Sequence, residues 1–426
     1  MDYSEKMILP AEYLSRMKEL LDDEFEAFEE SYNLDAVKGL RFNTKKVRPE
    51  TVDKLINAWK LEPVPWCPYG YYYSGDLRPG LSPYHDAGVY YIQEPSAMIT
   101  AELADISEND IVLDLCAAPG GKSTQAAACC KILVSNEPIA SRARILSSNI
   151  ERMGFSNCIV TSAYPDELAT VKALQSFFDR IIVDAPCSGE GMMRKDETAV
   201  REWSEANVAL CIERQAEILE QAAVMLKPGG KLAYSTCTFE KGENEDQIEN
   251  FLKKHDDFKL IKEHRLWPHK DKGEGHFCAV LMKDCDVSES ETYFNKKNKL
   301  SDAEDIAKVL KKARLHVLRY GIEEGEKKTD KKGKTYYTPS HAEALAKCYE
   351  TDDGGKLDFI SDELCERYLK GESFKVSDYA ENQDYTLTNS KDGWVTVYYD
   401  RYPLGNAKIV NGVLKNHYPK GLRKLG

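Results

Sequence analysis

The stretch "VLDLCAAPGGKSTQAA", Val112 to Ala127, predicts a strand, a turn of small residues and the start of a helix. Such a turn lets a ligand approach the backbone, and the first helical turn offers free N–H groups. Working outward, "IVLDLC", "KILVSNE", "CIVTSA" and "DRIIVDAP" are short apolar runs separated by helical patterns. Strands that alternate with helices predict a parallel, doubly wound α/β sheet of the Rossmann-like kind.

The residues of the turn limit the class of ligand that it can bind. A phosphate loop requires Gly-x-x-x-x-Gly-Lys-Ser/Thr; residues 121–123 fit that pattern, but Cys116 stands at its leading position. The dinucleotide pattern Gly-x-Gly-x-x-Gly is absent. S-adenosylmethionine remains, because its carboxylate and amine suit a turn that offers N–H groups beside Asp114. Glu137, after the next strand, could take both ribose hydroxyls, although an incidental surface carboxylate is the alternative.

Two cysteines follow two later strands. "DRIIVDAPCSGEG" places Asp184 and Cys187 at the end of one strand, and "YSTCTFEKGENE" places Cys237 just past the end of the following one. Ligands of open α/β sheets gather at the carboxyl ends of strands, so both sulfurs are expected in one cleft. A lone cysteine is more often a small core residue. Two at consecutive strand ends favour a catalytic pair.

Methylation at C5 of a cytosine needs this set of groups. A thiolate that adds to C6 breaks the aromaticity of the ring and makes C5 nucleophilic. A carboxyl group near N3 stabilises the developing charge. A base then removes the C5 proton so that the thiol can leave. The residues alone do not decide which sulfur attacks, because the Pro-Cys nucleophile of DNA cytosine-C5 enzymes would favour Cys187.

Length and composition limit the classes of protein. A chain of 426 residues is expected to contain several domains. The start, "MDYSEKMILPAEYL", does not resemble a signal peptide, and no apolar run is long enough to span a bilayer. The twelve cysteines include no Cys-x-x-Cys pair, which argues against a disulfide scaffold and a zinc site. We expect a cytoplasmic monomer without a metal or a membrane partner.

The charge distribution bears on a nucleic-acid partner. A net charge of −13 is unfavourable for binding phosphates. Arg194 and Lys195 could nevertheless hold RNA phosphate beside the cleft, or could simply be a solvated helix start. The final stretch, "NAKIVNGVLKNHYPKGLRKLG", contains no acid and five cations. These cations are Lys408, Lys415, Lys420, Arg423 and Lys424.

Together these motifs resemble a known family. "DLCAAPGGKS", "DAPCSGEGMMRKD" and "YSTCTFEKGENE" are similar to the signature motifs of the Sun (RsmB/RsmF-type) RNA cytosine-C5 methyltransferases. "GLRFNTKK" resembles the Arg-Phe-Asn element of that family, and "YYIQEPSAMI" its Gln-x-x-Ser segment. "WPHKDKGEGHFCAVL" and "NHYPKGLRKLG" resemble the RsmF-like branch, which modifies small-subunit ribosomal RNA. The resemblance implies an S-adenosylmethionine-dependent enzyme that acts on cytosine in 16S RNA through a transient covalent adduct.

The resemblance also assigns roles to residues. It implies that Cys237 is the nucleophile, that Cys187 assists breakdown of the adduct, and that Asp184 contacts both the cytosine and the cofactor. It places Glu137 on the ribose and leaves the adenine contact open among Ser162, Pro165 and Asp166. The implied cofactor turn consists of Cys116, Ala117, Ala118, Pro119, Gly120, Gly121 and Lys122.

The expected domain organisation has four parts. Residues 1–100 form an N-terminal RNA-contacting α+β subdomain, and 101–285 the methyltransferase core. Residues 286–370 form a linker and a further α+β subdomain, and 371–426 a β-rich, PUA-like RNA-binding module. The expected partner is ribosomal RNA or the small ribosomal subunit. Two alternatives are a non-catalytic RNA-binding assembly factor and a phosphate-loop nucleotidase, which Cys116 disfavours.

Overall fold

The computed structural model describes residues 9–285, 300–329, 333, 335–379, 384–388 and 392–424. The first part of the expected linker, residues 286–299, lies outside the described residues. Within the described ranges, no helix combines the length and the apolar composition needed to cross a membrane.

The N-terminal part consists of short helices around a four-stranded antiparallel sheet with the order β2-β3-β1-β4. Helix α1 buries Tyr13, Met17 and Leu21, which share one face of the helix. That face packs against Met193 and Phe239, which lie near the two candidate cysteines. The elements are α1 Ala11–Leu21, α2 Phe25–Ser31, β1 Lys38–Phe42, α3 Pro49–Trp59, β2 Glu62–Pro63, β3 Gly70–Tyr73, α4 Pro83–Asp86, β4 Tyr90–Ile92 and α5 Ile99–Leu103.

The central part alternates strands and helices, as the sequence predicts. Every residue of its first two strands, β5 and β6, is buried, which is typical of parallel strands covered on both faces. The elements are β5 Ile111–Asp114, α6 Gly121–Ala127, β6 Ile132–Asn136, α7 Ala140–Met153, β7 Cys158–Ser162, α8 Pro165–Ala169, β8 Phe178–Asp184, α9 Glu197–Glu202, α10 Glu205–Met225, β9 Leu226–Thr236, α11 Glu245–Lys254, β10 Phe258–Leu266 and β11 His276–Lys283.

The central sheet has eight strands in the order β10-β11-β9-β8-β5-β6-β7-β12, where β12 is His316–Tyr320. The five strands from β9 to β7 are parallel, which confirms the predicted doubly wound sheet. The sequence "GHFCAVLMK", Gly275 to Lys283, predicts a late strand at the edge of this sheet, and this prediction is wrong: β11 lies between β9 and β10. Six of the nine residues of β10 are exposed, charged and apolar ones alike, so no alternation of buried apolar residues marks it in the sequence.

The C-terminal part contains the expected β-rich region. Its six-stranded sheet has the order β16-β20-β19-β18-β15-β17, in which only the β15–β18 pair is parallel. Strand β15 precedes residue 371, so the sheet extends across that expected boundary. The elements are α12 Ala303–Lys312, β13 Glu326–Thr329, β14 Thr335–Thr338, α13 His341–Leu345, β15 Gly355–Phe359, α14 Asp362–Leu369, β16 Phe374–Lys375, β17 Tyr385–Thr388, β18 Gly393–Tyr399, β19 Tyr402–Val410 and β20 Val413–Asn416.

The C-terminal sheet is tied to the N-terminal part. The backbone N–H of Arg48 donates to the Tyr402 hydroxyl at 2.9 Å. Lys424 Nζ lies 2.6 Å from Asp86 Oδ2 and donates to the carbonyl of Leu81 at 2.8 Å. Lys424, one of the five cations of the basic ending, therefore forms an internal contact.

Candidate active site

The turn between β5 and α6 has a backbone that only glycine adopts easily. Gly120 has φ +116°, and a Cβ atom there would lie 3.1 Å from Cδ1 of Leu146. The turn is held against the next strand by Ala117, whose N–H donates to the carbonyl of Asn136 at 2.8 Å. This bond places the turn beside Glu137, which directly follows β6.

Asp114 ends β5 beneath the turn. Its Oδ2 accepts a 2.6 Å hydrogen bond from Ser123 Oγ, whereas its buried Oδ1 has no hydrogen-bond partner among the described residues. Burial raises the pKa of this carboxyl to about 7. A buried carboxylate oxygen without a donor fits the amino group of an amino-acid-like ligand.

Glu137 is 2% exposed. Its Oε1 accepts the N–H of Ile139 at 3.0 Å, and its Oε2 lies 3.5 Å from Nη1 of Arg142. These contacts hold the carboxylate at the end of β6 and leave it capacity for further hydrogen bonds.

The three candidates for the adenine contact differ in position. Ser162 ends β7, is half-buried, and donates to the carbonyl of Pro138 at 3.2 Å. Pro165 begins α8, and Asp166 is exposed beside it. Of the three, Ser162 contacts the segment that carries Glu137.

The structure brings the two candidate cysteines together. The Sγ atoms of Cys187 and Cys237 are 3.4 Å apart. Strands β8 and β9 are parallel neighbours, with Asp184 opposite Ser235, so their carboxyl ends meet. The hydrogen bond to Cys237, together with burial, raises the pKa of the Cys187 thiol well above its ordinary value. Cys187 therefore keeps its proton, and either sulfur of the pair can donate the hydrogen bond between them.

Asp184 connects the cysteines to the cofactor turn. Its Oδ2 lies 2.8 Å from Lys122 Nζ, and its Oδ1 accepts a 2.9 Å hydrogen bond from Ser235 Oγ. Burial works to raise the pKa of Asp184, but Lys122 outweighs it and the net shift is downward. Lys122 is itself buried at 7% exposure. The turn and the thiol pair thus line one cleft.

A buried network, which the sequence reading did not find, joins the two cysteine loops. Glu243 accepts hydrogen bonds from the Ser188 N–H and from Gln215, and the Gly191 N–H donates to the Cys237 carbonyl at 2.8 Å. The stretch "EKGENEDQIENF" after Cys237 predicts a helix start, in which acids are favoured in the first turn. The burial of Glu243 could not be predicted, because the residues around it in the sequence are also polar.

The N-terminal sheet contacts the turn of residues 116–122 through the side chain of Arg41. Arg41 is 3% exposed and donates to Gln93 Oε1, the Gly121 carbonyl and Thr124 Oγ1 at 3.1, 3.0 and 2.9 Å. The stretch "GLRFNTKKV" is compatible in the sequence with an RNA-facing strand or with an edge strand in which Arg41 pairs locally, and the structure shows the local pairing. The edge position is wrong, because β1 lies inside its sheet.

Arg194 also has an internal role. Its side chain is 7% exposed and donates to Glu274 Oε2 at 2.6 Å and to the Ser31 carbonyl at 2.8 Å. The expectation of a phosphate-binding or solvated side chain is therefore wrong for Arg194. Lys195 Nζ lies 3.9 Å from Glu274 Oε1.

Family models match three parts of the chain. Residues 101–282 match the model described as 16S rRNA methyltransferase RsmB/F. Residues 9–95 match the N-terminal domain of 16S rRNA methyltransferase RsmF, and 359–424 match the methyltransferase RsmF PUA domain.

Individual relatives extend over the whole chain. Ribosomal RNA small subunit methyltransferase F of Shewanella sp. (strain MR-4) is 30% identical over 448 residues, which covers 91% of each chain. The protein of the same name from Erwinia tasmaniensis is 29% identical over 491 residues, which covers 100% of this chain and 99% of the relative. The crystal structure of a methyltransferase homolog protein from Pyrococcus horikoshii superposes with a TM-score of 0.56 at 26% identity, covering 63% of this chain and 93% of the other.

Proposed function

This chain belongs to the RsmB/F family of 16S rRNA methyltransferases, and we propose that it methylates C5 of a cytosine in 16S rRNA through a transient covalent bond to Cys237. The observation that carries the proposal is the 3.4 Å contact between the sulfurs of Cys187 and Cys237. Two thiols in contact, beside the half-buried Asp184, supply the nucleophile, the acid–base group and the electrostatic partner that the reaction needs.

S-adenosylmethionine is the proposed methyl donor. The backbone of residues 116–122, the unpartnered Oδ1 of Asp114 and the carboxylate of Glu137 would hold it. When bound, this cofactor supplies an electrophilic methyl group on a sulfonium. The side-chain-free turn at Gly120 and the donor-free Asp114 oxygen both support a ligand that approaches the backbone and carries an amino group.

Cys237 is proposed to attack C6 as a thiolate. When Cys237 is a thiolate, Cys187 is the donor of the hydrogen bond between the two sulfurs. This bond stabilises the negative charge on Cys237 before the attack. The Lys122–Asp184 pair lies in the same cleft and supplies a positive charge and a hydrogen-bonding carboxyl to the pyrimidine as charge develops at N3. Cys237 thus forms the carbon–sulfur bond and makes C5 nucleophilic.

Cys187 is proposed to remove the C5 proton after methylation. Its pKa is raised chiefly because it donates to Cys237. Once the Cys237 sulfur is bonded to carbon and uncharged, that interaction no longer favours the protonated form. Cys187 can then lose its proton to solvent and accept the C5 proton as a thiolate, and the bond between Cys237 and C6 breaks.

The C-terminal sheet is proposed to contact the RNA backbone. Cross-strand register places Trp394 opposite Lys408 and Lys408 opposite Lys415. The ring of His417 packs against Trp394 at 4.4 Å, and no carboxylate among the described residues pairs with either lysine. A row of two cations beside aromatic rings suits phosphates and unstacked bases. The target base itself would have to leave its stack to reach Cys237.

The test is methyl transfer from labelled S-adenosylmethionine to small-subunit RNA, both as naked RNA and as assembled subunits. We expect label at C5 of cytosine with the unaltered protein and none with Cys237→Ala. Label at another base or atom, or unchanged transfer by Cys237→Ala, would contradict the proposal. The binding-only alternative predicts no transfer with either protein.

A further inference from the structure

Glu243 lies buried between the loops that carry the two cysteines. Its side chain is fully shielded from solvent. One carboxylate oxygen accepts the N–H of Ser188 at 3.0 Å and Nε2 of Gln215 at 2.7 Å, and the other accepts the hydroxyl of Ser188. Three donors therefore converge on a single carboxylate.

These donors hold both neighbours of Cys187. Ser188 follows Cys187 directly, and Gln215 uses the same Nε2 to donate to the carbonyl of Pro186 at 3.0 Å. The peptide units on either side of the Cys187 sulfur are thus both connected to Glu243. Since the Cα position of Cys187 depends on these two peptide units, the carboxylate restricts where its sulfur can lie.

Glu243 is also fixed to the strand that leads to Cys237. Its carbonyl accepts a 2.6 Å hydrogen bond from the hydroxyl of Tyr234 in β9. The Ser188 hydroxyl lies 2.8 Å from Oγ1 of Thr238, the residue after Cys237. Glu243 therefore holds the peptide units around Cys187 directly, and it is linked to the segment around Cys237 through the side chains of Tyr234 and Ser188.

We propose that Glu243 is a positioning residue that sets the separation between the sulfurs of Cys187 and Cys237. The expected effect of Glu243 on catalysis rests on the proposed function of the two thiols, but its expected effect on the distance between the sulfurs does not. Other bonds also join the two segments: the Ala185 N–H donates to the Ser235 carbonyl, the Gly191 N–H to the Cys237 carbonyl, and the Phe239 N–H to Glu190. None of these three bonds holds either peptide unit of Cys187.

The test uses the rate at which the two thiols form a disulfide. Diamide takes two electrons and two protons from a pair of thiols and becomes a hydrazine, so the rate of linking reports how often the sulfurs meet. The linked Cys187–Cys237 peptide is quantified by mass spectrometry, and the alkylation rate of each cysteine by iodoacetamide is measured alongside. We expect Glu243→Gln and Glu243→Ala to slow linking by about tenfold or more relative to alkylation.

The matched control is Glu245→Gln. Glu245 lies in the same segment but pairs with Arg265 at 2.6 Å and makes no contact with Ser188. It should leave the linking rate unchanged. Glu243→Gln is isosteric and keeps one acceptor oxygen, so it serves if the alanine variant fails to fold by circular dichroism.

Methylation provides a second readout. We expect Glu243→Gln to lower kcat and leave the KM for S-adenosylmethionine unchanged, because Glu243 does not touch the cofactor turn. A linking rate equal to that of the unaltered protein in Glu243→Gln would overturn the inference. Normal methylation by Cys237→Ala would instead overturn the proposed function and leave the linking result standing.

Discussion

The Nζ atom of Lys122 lies 2.8 Å from Oδ2 of Asp184. Lys122 belongs to the first turn of α6, and Asp184 ends β8, three residues before Cys187. This ion pair crosses from the proposed cofactor turn to the proposed chemical site. It therefore couples the placement of the methyl donor to the placement of the pyrimidine.

Replacing Asp184 tests this coupling. Asp184→Asn leaves the ammonium of the buried Lys122 without its counter-charge, so we expect methyl transfer to fall by about 10²–10³-fold and stability to fall by about 1–3 kcal/mol, since solvent screens the 36% exposed Asp184. Single-turnover methylation and urea unfolding measure the two effects. The control is Asp105→Asn, which removes an exposed ion pair with Lys231 at 2.7 Å and should cost under about 1 kcal/mol. Equal losses from both variants would refute the coupling.

Asp184 also predicts a pH dependence of stability. Its folded-state pKa is lowered, so its ion pair stabilises the protein above the pKa of the unfolded chain, about 3.9. This contribution is lost as the pH falls below that value and through the folded-state pKa. Thermal unfolding of the unaltered protein and Asp184→Asn should therefore converge in acid and differ at neutral pH.

The pKa of Asp114 predicts a pH dependence of cofactor binding. Because burial raises this pKa to about 7, the carboxyl becomes protonated as the pH falls below about 7 and loses the negative charge that attracts an ammonium group. We expect the Kd for S-adenosylmethionine to rise by about tenfold between about pH 8 and about pH 6. Calorimetric titration measures this. Asp114→Asn should bind weakly at both values, and a Kd of the unaltered protein that stays constant would contradict the assignment.

The two cysteines should give different phenotypes. Cys237→Ala removes the nucleophile and should abolish both methylation and the covalent adduct. Cys187→Ala removes the proposed base and should accumulate a protein–RNA adduct that survives denaturing electrophoresis. Cys211→Ala, which changes a buried cysteine of α10, provides the control and should methylate RNA normally without accumulating an adduct. Normal turnover by Cys187→Ala without an adduct would show that the roles are divided differently.

Gly120→Ala should weaken cofactor binding. The substitution forces a side chain onto a residue with φ +116° and places its Cβ 3.1 Å from Leu146, at a cost of roughly 1–3 kcal/mol. Gly412→Ala is the control for backbone strain alone. Gly412 also has a positive φ, +73°, but no atom lies within 4 Å of the added Cβ. Both variants should lower Tm, and only Gly120→Ala should raise the Kd for S-adenosylmethionine. A cofactor affinity that Gly120→Ala leaves intact would exclude the turn as the binding site.

The lysine row on the C-terminal sheet should contribute to RNA affinity. Lys408→Glu combined with Lys415→Glu should weaken binding and reduce the slope of log K against log salt by about 1.5–2, if each lysine neutralises one phosphate. Fluorescence anisotropy with labelled 16S fragments at several salt concentrations measures the slope. Lys312→Glu, on the exposed end of α12, should change neither value. An unchanged slope in the double variant would remove this surface from the RNA interface.

The local sequence determined the methyltransferase-like order of strands and helices and the turn that carries Gly120. Apolar runs, glycines and strand-end polar residues are local signals, because they reflect burial and backbone conformation along one segment. The same signals placed Cys187 and Cys237 after consecutive strands. They could not measure the contact between the sulfurs, which depends on the register of β8 against β9.

Only the tertiary structure decided which charged side chains make internal contacts. Arg41, Arg194, Glu243 and Lys424 look alike in the sequence as polar residues suited to solvent or RNA, yet each one contacts groups far away in the chain. A buried charge is tolerated only where partners from distant segments converge on it, and those partners carry no signature of their own. The sequence therefore determined the family and the chemistry proposed for this protein, whereas the packing of distant segments decided which residues hold the proposed reacting groups in place.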